Sequence, residues 1–217
     1  MKKNVLFFDL DGTLTDSAPG IINSARYALS HFGMEPDDAI MIKFIGPPLL
    51  ESFQNLCGLD EEKSKDAIRL YREYFSVKGM FENSVYNGVY EMLEILRKEG
   101  KILAVATSKP QVYAEKILDH FHLTEYFAHI SGAALDHVRM TKADVLRNAV
   151  QGTGLSDLRQ GLMIGDRKHD VEGGNEVGME TLGVLYGYGS REELMSAGAF
   201  DTAQTPSEVV SKILSFS

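Results

Sequence analysis

Four short runs are apolar at nearly every position rather than at alternate ones: NVLFF ahead of Asp9, ILAVA ahead of Thr107, GLMIG ahead of Asp166, and TLGVLY from Thr181. Unbroken runs of this length predict strands buried on both faces, as in a parallel sheet covered by helices. Between them the apolar spacing changes to three and four. Ile21, Ala25, Ala28, Leu29 and Phe32 share one helical face after an Asp16-Ser17 start, with Pro19 in the first turn. Val89, Met92, Leu93 and Leu96 share another, and Gly100 follows as a stop before ILAVA. Strands alternating with helices predict an α/β fold with a parallel sheet.

One block breaks the alternation. From about Ser17 to Asn83 the patterns are helical and no run reads as a strand. Ala67, Ile68, Tyr71, Tyr74 and Phe75 form one stripe there, expected as the core of a helical unit rather than a cofactor box. A helical block set in after the first strand predicts an inserted cap, joined by linkers near Leu14 to Ala18 and Asn83 to Gly88.

Three predicted strands end in polar residues: Asp9 and Asp11, then Thr107 and Ser108, then Asp166 within GDRKHD. The carboxyl edge of an open parallel sheet is where ligands bind. Residues 9 and 11 of one strand share a face, so two like charges are held close and call for a cation or a proton between them. Asp9, Asp11 and Asp166 are hard oxygen donors suited to Mg²⁺ shared with a substrate phosphate. Gly12 and Gly165 permit close backbone approach. His169 lies inside the constellation but has no ligand spacing with the other histidines, so it reads as structural or solvated and a zinc site is not expected. A phosphate entering so acidic a place needs further cations, for which Lys109 and Lys142 are the candidates.

Composition narrows the partners. The chain's 217 residues carry 22 basic and 31 acidic side chains, a formal charge of -9, which opposes binding to nucleic acid polymers or anionic membranes. One cysteine, Cys57, excludes an intramolecular disulfide, and it is expected as a buried apolar residue. No apolar run approaches the ~20 residues of a spanning helix. A soluble, cytoplasmic protein with a small-molecule substrate is expected, with no signal for an oligomeric state.

On these motifs the chain resembles the haloacid dehalogenase-like superfamily of phosphatases over essentially its whole length. FFDLDGT matches the family's Asp-x-Asp-Gly-Thr, Thr107 in VATSK its strand-ending hydroxyl, Lys142 its helix-start lysine, and GDRKHD, with Asp166 and Asp170, its acidic fourth motif. Many members have Lys-Pro-x-Pro at the third motif where this chain has TKADVL. The resemblance implies a Rossmann-like catalytic core over residues 1–16 and 84–217 and a helical cap over 17–83. It also implies Mg²⁺ held by Asp9, Asp11, Asp166 and Asp170, with Asp9 as nucleophile and Asp11 as acid and base. Phosphate binding would fall to Gly12, Thr107, Ser108 and Lys142. In the cap, the loop FIGPPLLESF with Gly46 and Leu49 would help choose the leaving group. The chain looks most like the phosphoglycolate phosphatase-like and bacterial 5'-nucleotidase-like members, hence a Mg²⁺-dependent hydrolase of small phosphorylated metabolites. Asp11 argues against dehalogenation, because the dehalogenases lack it. A phosphomutase of the β-phosphoglucomutase type is the alternative. A non-enzymatic phospho-accepting receiver domain explains neither the helical insert nor Asp11.

Overall fold

The computed structural model describes residues 2–135 and 140–216. The chain divides into two compact units, Met1–Asp16 with Val85–Ser217, and Ser17–Ser84. The first unit opens with β1 (Val5–Phe8) and β2 (Thr15–Asp16). The second holds α1 (Ala18–Ser30), α2 (Asp38–Met41), α3 (Leu49–Cys57) and α4 (Glu61–Val77). After β3 (Ser84–Val85) the first unit resumes with α5 (Val89–Lys98), β4 (Ile102–Pro110), α6 (Gln111–His120), β5 (His129–Ala133) and α7 (Lys142–Thr153). It ends with β6 (Gly161–Gly165), α8 (Lys168–Val177), β7 (Thr181–Val184), α9 (Arg191–Ser196), β8 (Asp201–Ala203) and α10 (Pro206–Ser215).

Six strands form one Rossmann-like parallel sheet in the order β5-β4-β1-β6-β7-β8. Val5 lies opposite Ile102 on one side and Gly161 on the other, and Phe8 opposite Val105 and Ile164. With neighbours on both edges and helices over both faces, β1 needs an apolar side chain at every position, and Leu6, Phe7 and Phe8 are fully buried. The four unbroken apolar runs are the four inner strands. The edge strands β5 and β8 went unread because each has one neighbour and mixes polar residues (His129, Ser131; Asp201, Thr202) into its pattern. β4 is longer than its apolar run and carries Thr107 and Ser108 within it.

Helix α1 begins at Ala18 with Pro19 in its first turn and buries Ile21, Ala25, Ala28 and Leu29, while α5 buries Val89, Met92, Leu93 and Leu96. The chain then turns at Gly100, whose φ of +73° suits glycine. In the second unit Ala67, Leu70, Tyr71 and Phe75 of α4 are buried and the Tyr71 and Phe75 rings stack at 5.5 Å. These aromatics fill a helical core. Gly20 is required there, since a Cβ on it would lie 1.8 Å from the Gly79 carbonyl oxygen. Gly46 has a φ of +105° and Pro48 caps the start of α3, which ends in Cys57, half-buried with its thiol pushed up by burial. Among the described residues no helix is long and apolar enough to cross a membrane.

Candidate active site

The chain passes from β1 to β4 and β5 on one side of the sheet and returns to β6 on the other, so the topological switch lies between β1 and β6. Asp9 leaves β1 and Asp166 leaves β6 at that point, and the Asp9 N–H still donates to the Ile164 carbonyl oxygen at 2.9 Å. Asp170 stands in the first turn of α8, where one carboxylate oxygen accepts from the Arg167 N–H at 3.0 Å. Asp9, Asp166 and Asp170 are buried, and each offers an oxygen within 4.8 Å of the others. This trio can hold a metal ion. The donors are all hard oxygens, which fits a divalent ion of the magnesium type and not a soft one.

A lysine threads the trio. Thr141 caps α7 with a reciprocal box to Asp144, which places Lys142 as the first helical residue. Its ammonium lies 2.8 Å from Asp9 Oδ1 and 2.6 Å from Asp170 Oδ1, with the side chain 5% exposed. Burial alone would lower the Lys142 pKa, but Asp170 and Asp9 outweigh it and hold the ammonium above its ordinary range. Burial pushes the Asp9 carboxyl up to about 6, against the pull of Lys142 and with a further push from Asp170. Asp166 is pushed well above the carboxylate range by burial first, then by Asp170 and Asp9.

Asp11, expected among the metal ligands, stands outside this trio. Its Oδ2 accepts from Lys109 Nζ at 2.7 Å, and Oδ1 is buried without a hydrogen-bond partner. Both candidate lysines are therefore in the site, Lys109 on Asp11 and Lys142 on Asp9 and Asp170. Asp9, Asp166 and Asp170 as carboxylates set against Lys142 leave two negative charges, which one divalent cation balances. Thr107 is buried and its Oγ accepts from the Lys109 N–H at 3.2 Å, which leaves the donor capacity of its O–H unspent by that bond. Ser108 beside it is exposed.

The Gly12 N–H, expected to face a phosphoryl oxygen, instead donates to the Thr15 carbonyl oxygen at 2.8 Å within the turn after β1. What Gly12 supplies is room. Its φ is +81° and a Cβ there would lie 2.2 Å from Asp166 Oδ2. Gly165 likewise makes room for Asp170, whose Cγ would be 2.3 Å from an added Cβ. His169 is solvated, 49% exposed beside Glu172.

Several contributors were not anticipated from the sequence. Thr13 donates to Asp166 Oδ1 at 3.4 Å, and the Tyr188 N–H donates to Asp166 Oδ2 at 2.8 Å while its hydroxyl donates to Asp16 at 2.8 Å. Gly173 lets Lys142 pass over α8, for a Cβ there would lie 2.8 Å from Lys142 Cγ. The signal was present: a glycine inside a helix costs about 1 kcal/mol against alanine and so asks for a packing reason. The glycine-dense LYGYG after β7 asks the same. Gly187→Ala is expected to destabilise the protein by about 1–3 kcal/mol, because the new Cβ would meet the Gly12 carbonyl oxygen at 2.1 Å and neither backbone can yield freely. Thermal denaturation reads this, and an unchanged melting temperature would show that the loop retreats without cost.

Comparison with known proteins follows the same motifs. The family model described as haloacid dehalogenase-like hydrolase matches residues 6–184. A 5'-nucleotidase of Pseudomonas aeruginosa is 45% identical over 190 residues, covering 87% of this chain and 86% of that protein. The tyrosine-protein kinase PtkA of Mycobacterium tuberculosis is 43% identical over 187 residues, covering 85% of this chain and 63% of that one. A solved structure described as a predicted phosphatase from Clostridium acetobutylicum superposes with a TM-score of 0.92 at 45% identity, covering 99% of both chains.

Proposed function

The chain belongs to the haloacid dehalogenase-like hydrolases and is a phosphatase, and from that premise we propose that it hydrolyses small phosphomonoesters through an aspartyl-phosphate on Asp9, with Mg²⁺ as its cation. The observation that carries the reading is the buried Asp9, held by Lys142 and flanked by Asp166 and Asp170. Asp9 Oδ attacks phosphorus in line with the ester oxygen, and the bond from phosphorus to that oxygen breaks. Asp11 gives the departing oxygen its proton. It then takes a proton from the water that attacks the acyl phosphate, regenerating Asp9 and releasing phosphate. Lys109 holds Asp11 in place for both transfers. Thr107, with Ser108 beside it, and Lys142 receive the phosphoryl oxygens and their charge. Asp9, Asp166 and Asp170 would hold Mg²⁺, which when bound offsets the charge of nucleophile and phosphate. Gly12 serves this arrangement through the space it leaves for Asp166.

The first substrates to test are 5'-nucleotides, on the likeness to the P. aeruginosa 5'-nucleotidase, followed by phosphoglycolate. The likeness to a tyrosine-protein kinase adds phosphotyrosine to the panel. Ranking kcat/KM across these esters tests the reading, and release of no phosphate from any of them would overturn it.

Chelation by EDTA is expected to abolish turnover and Mg²⁺ to restore it. Full activity after exhaustive chelation would remove the cation from the reading. A second consequence needs no turnover. Asp9 and Asp166 have raised pKa values in the folded, cation-free protein, so that state binds protons more readily than the unfolded chain does. The contribution of these two groups to its stability is therefore fully present at low pH and is lost as pH rises through about 6, the value for Asp9. Added Mg²⁺ competes with those protons, so it should raise the melting temperature more at neutral pH than near pH 5. An equal rise at both would mean that these carboxylates do not bind it.

A further inference from the structure

Among the described residues four buried side-chain polar atoms have no hydrogen-bond partner: Asp9 Oδ1, Asp11 Oδ1, Ser17 Oγ and Tyr186 Oη. Asp9 Oδ1 is met by the Lys142 ion pair, and Asp9 and Asp11 are the reacting carboxylates of the proposed chemistry. Buried polar groups are nearly always satisfied, and an exception asks for a reason. For Asp9 the reason is the Lys142 ion pair, and for Asp11 it is the place this carboxylate takes in the proposed chemistry. Tyr186 shares their neighbourhood. The residue after it, Gly187, packs on the Gly12 carbonyl oxygen and the Asp166 Cβ, and Tyr188 donates its N–H to Asp166. The Tyr186 ring lies 5.3 Å from the Tyr86 ring at 66°, and the charges of Asp16, Asp166 and Asp11 all act on Tyr86.

The strand order decides which part of a ligand this hydroxyl can serve. Thr107 and Lys109 stand on β4, on one side of β1, where Lys109 meets Asp11, whereas Tyr186 follows β7, two strands away on the other. In the proposed chemistry Thr107 and Ser108 take the phosphoryl oxygens from the β4 side. We propose that Tyr186 contacts the leaving group, its hydroxyl donating a hydrogen bond to a hydroxyl or ring oxygen of a sugar-like phosphate ester, with Tyr86 giving that group an aromatic face. The proposal rests on the phosphatase reading of Asp9. It places selection of the leaving group in the core unit, in addition to the cap that the family resemblance implies.

Tyr186→Phe removes only the oxygen, and in the free protein that oxygen has no partner to lose. Binding is measured in an Asp9→Asn background, which does not turn over, with adenosine 5'-monophosphate and with inorganic phosphate as probes in the presence of Mg²⁺. Adding Tyr186→Phe is expected to weaken the nucleotide by about 5- to 10-fold, the value of one hydrogen bond, and to leave phosphate unchanged. The melting temperature is expected to stay or rise. Equal weakening of both probes, no weakening of the nucleotide, a nucleotide bound no better than phosphate, or a fall in melting temperature would each overturn the proposal. A protein with Asp9 intact that hydrolyses no phosphate ester overturns the phosphatase reading instead, while the binding comparison still decides the role of Tyr186.

Discussion

Asp9→Asn is expected to lower kcat on p-nitrophenyl phosphate by roughly 10⁴-fold or more while leaving the melting temperature near that of the unaltered protein. The amide has the same shape but cannot attack phosphorus. The fold loses little, because burial already pushes the Asp9 carboxylate up to about 6 and Lys142 keeps its second partner in Asp170. Asp11→Asn makes the matched comparison. It keeps the nucleophile and removes the proton carrier, so an ester with a good leaving group should still phosphorylate the protein while release of phosphate slows. Rapid quench with labelled substrate reads both steps. Turnover of Asp9→Asn at the rate of the unaltered protein would sink the covalent reading.

Lys142→Ala is expected to show two losses at once. On activity, if Lys142 neutralises the phosphoryl group as proposed, its removal costs on the order of 10²-fold in kcat. On stability, it leaves Asp9 and Asp170 buried without their shared counter-charge, a change that typically costs ~3–5 kcal/mol. That second loss should shrink as pH falls, because Asp9, already pushed up by burial, takes up a proton, and it should shrink with added Mg²⁺. Lys109→Ala is expected to cost less on both counts. Its partner Asp11 is 23% exposed and can recover hydration, whereas Asp170 is 2% exposed and cannot. Parallel thermal melts and kcat measurements on the two variants give the ranking, and the reverse order would move the neutralising role to Lys109.

Read residue by residue, the sequence determined the strands that carry the site and the carboxylates at their ends. Those features are local: a doubly buried strand must be apolar throughout, and a strand that ends in Asp at the sheet's ligand-binding edge is written in adjacent positions. The insert was legible for the same reason, as a change of period from Ser17 onward. Edge strands escaped because half-buried positions tolerate polar residues. The pairing of charges was decided only in three dimensions. That Lys142 meets Asp9 and Asp170 while Lys109 meets Asp11 depends on how α7, β4 and α8 converge on β1, and no spacing along the chain encodes it. The same holds for the Gly12 amide, which the turn to Thr15 engages, and for Gly187 and Tyr188, which the return of the chain after β7 brings against Asp166. Sequence alone named the carboxylates that cluster at the sheet's edge, because each strand end is a local feature. Tertiary structure alone assigned them their partners, because electrostatic pairing acts through space between residues distant in the chain.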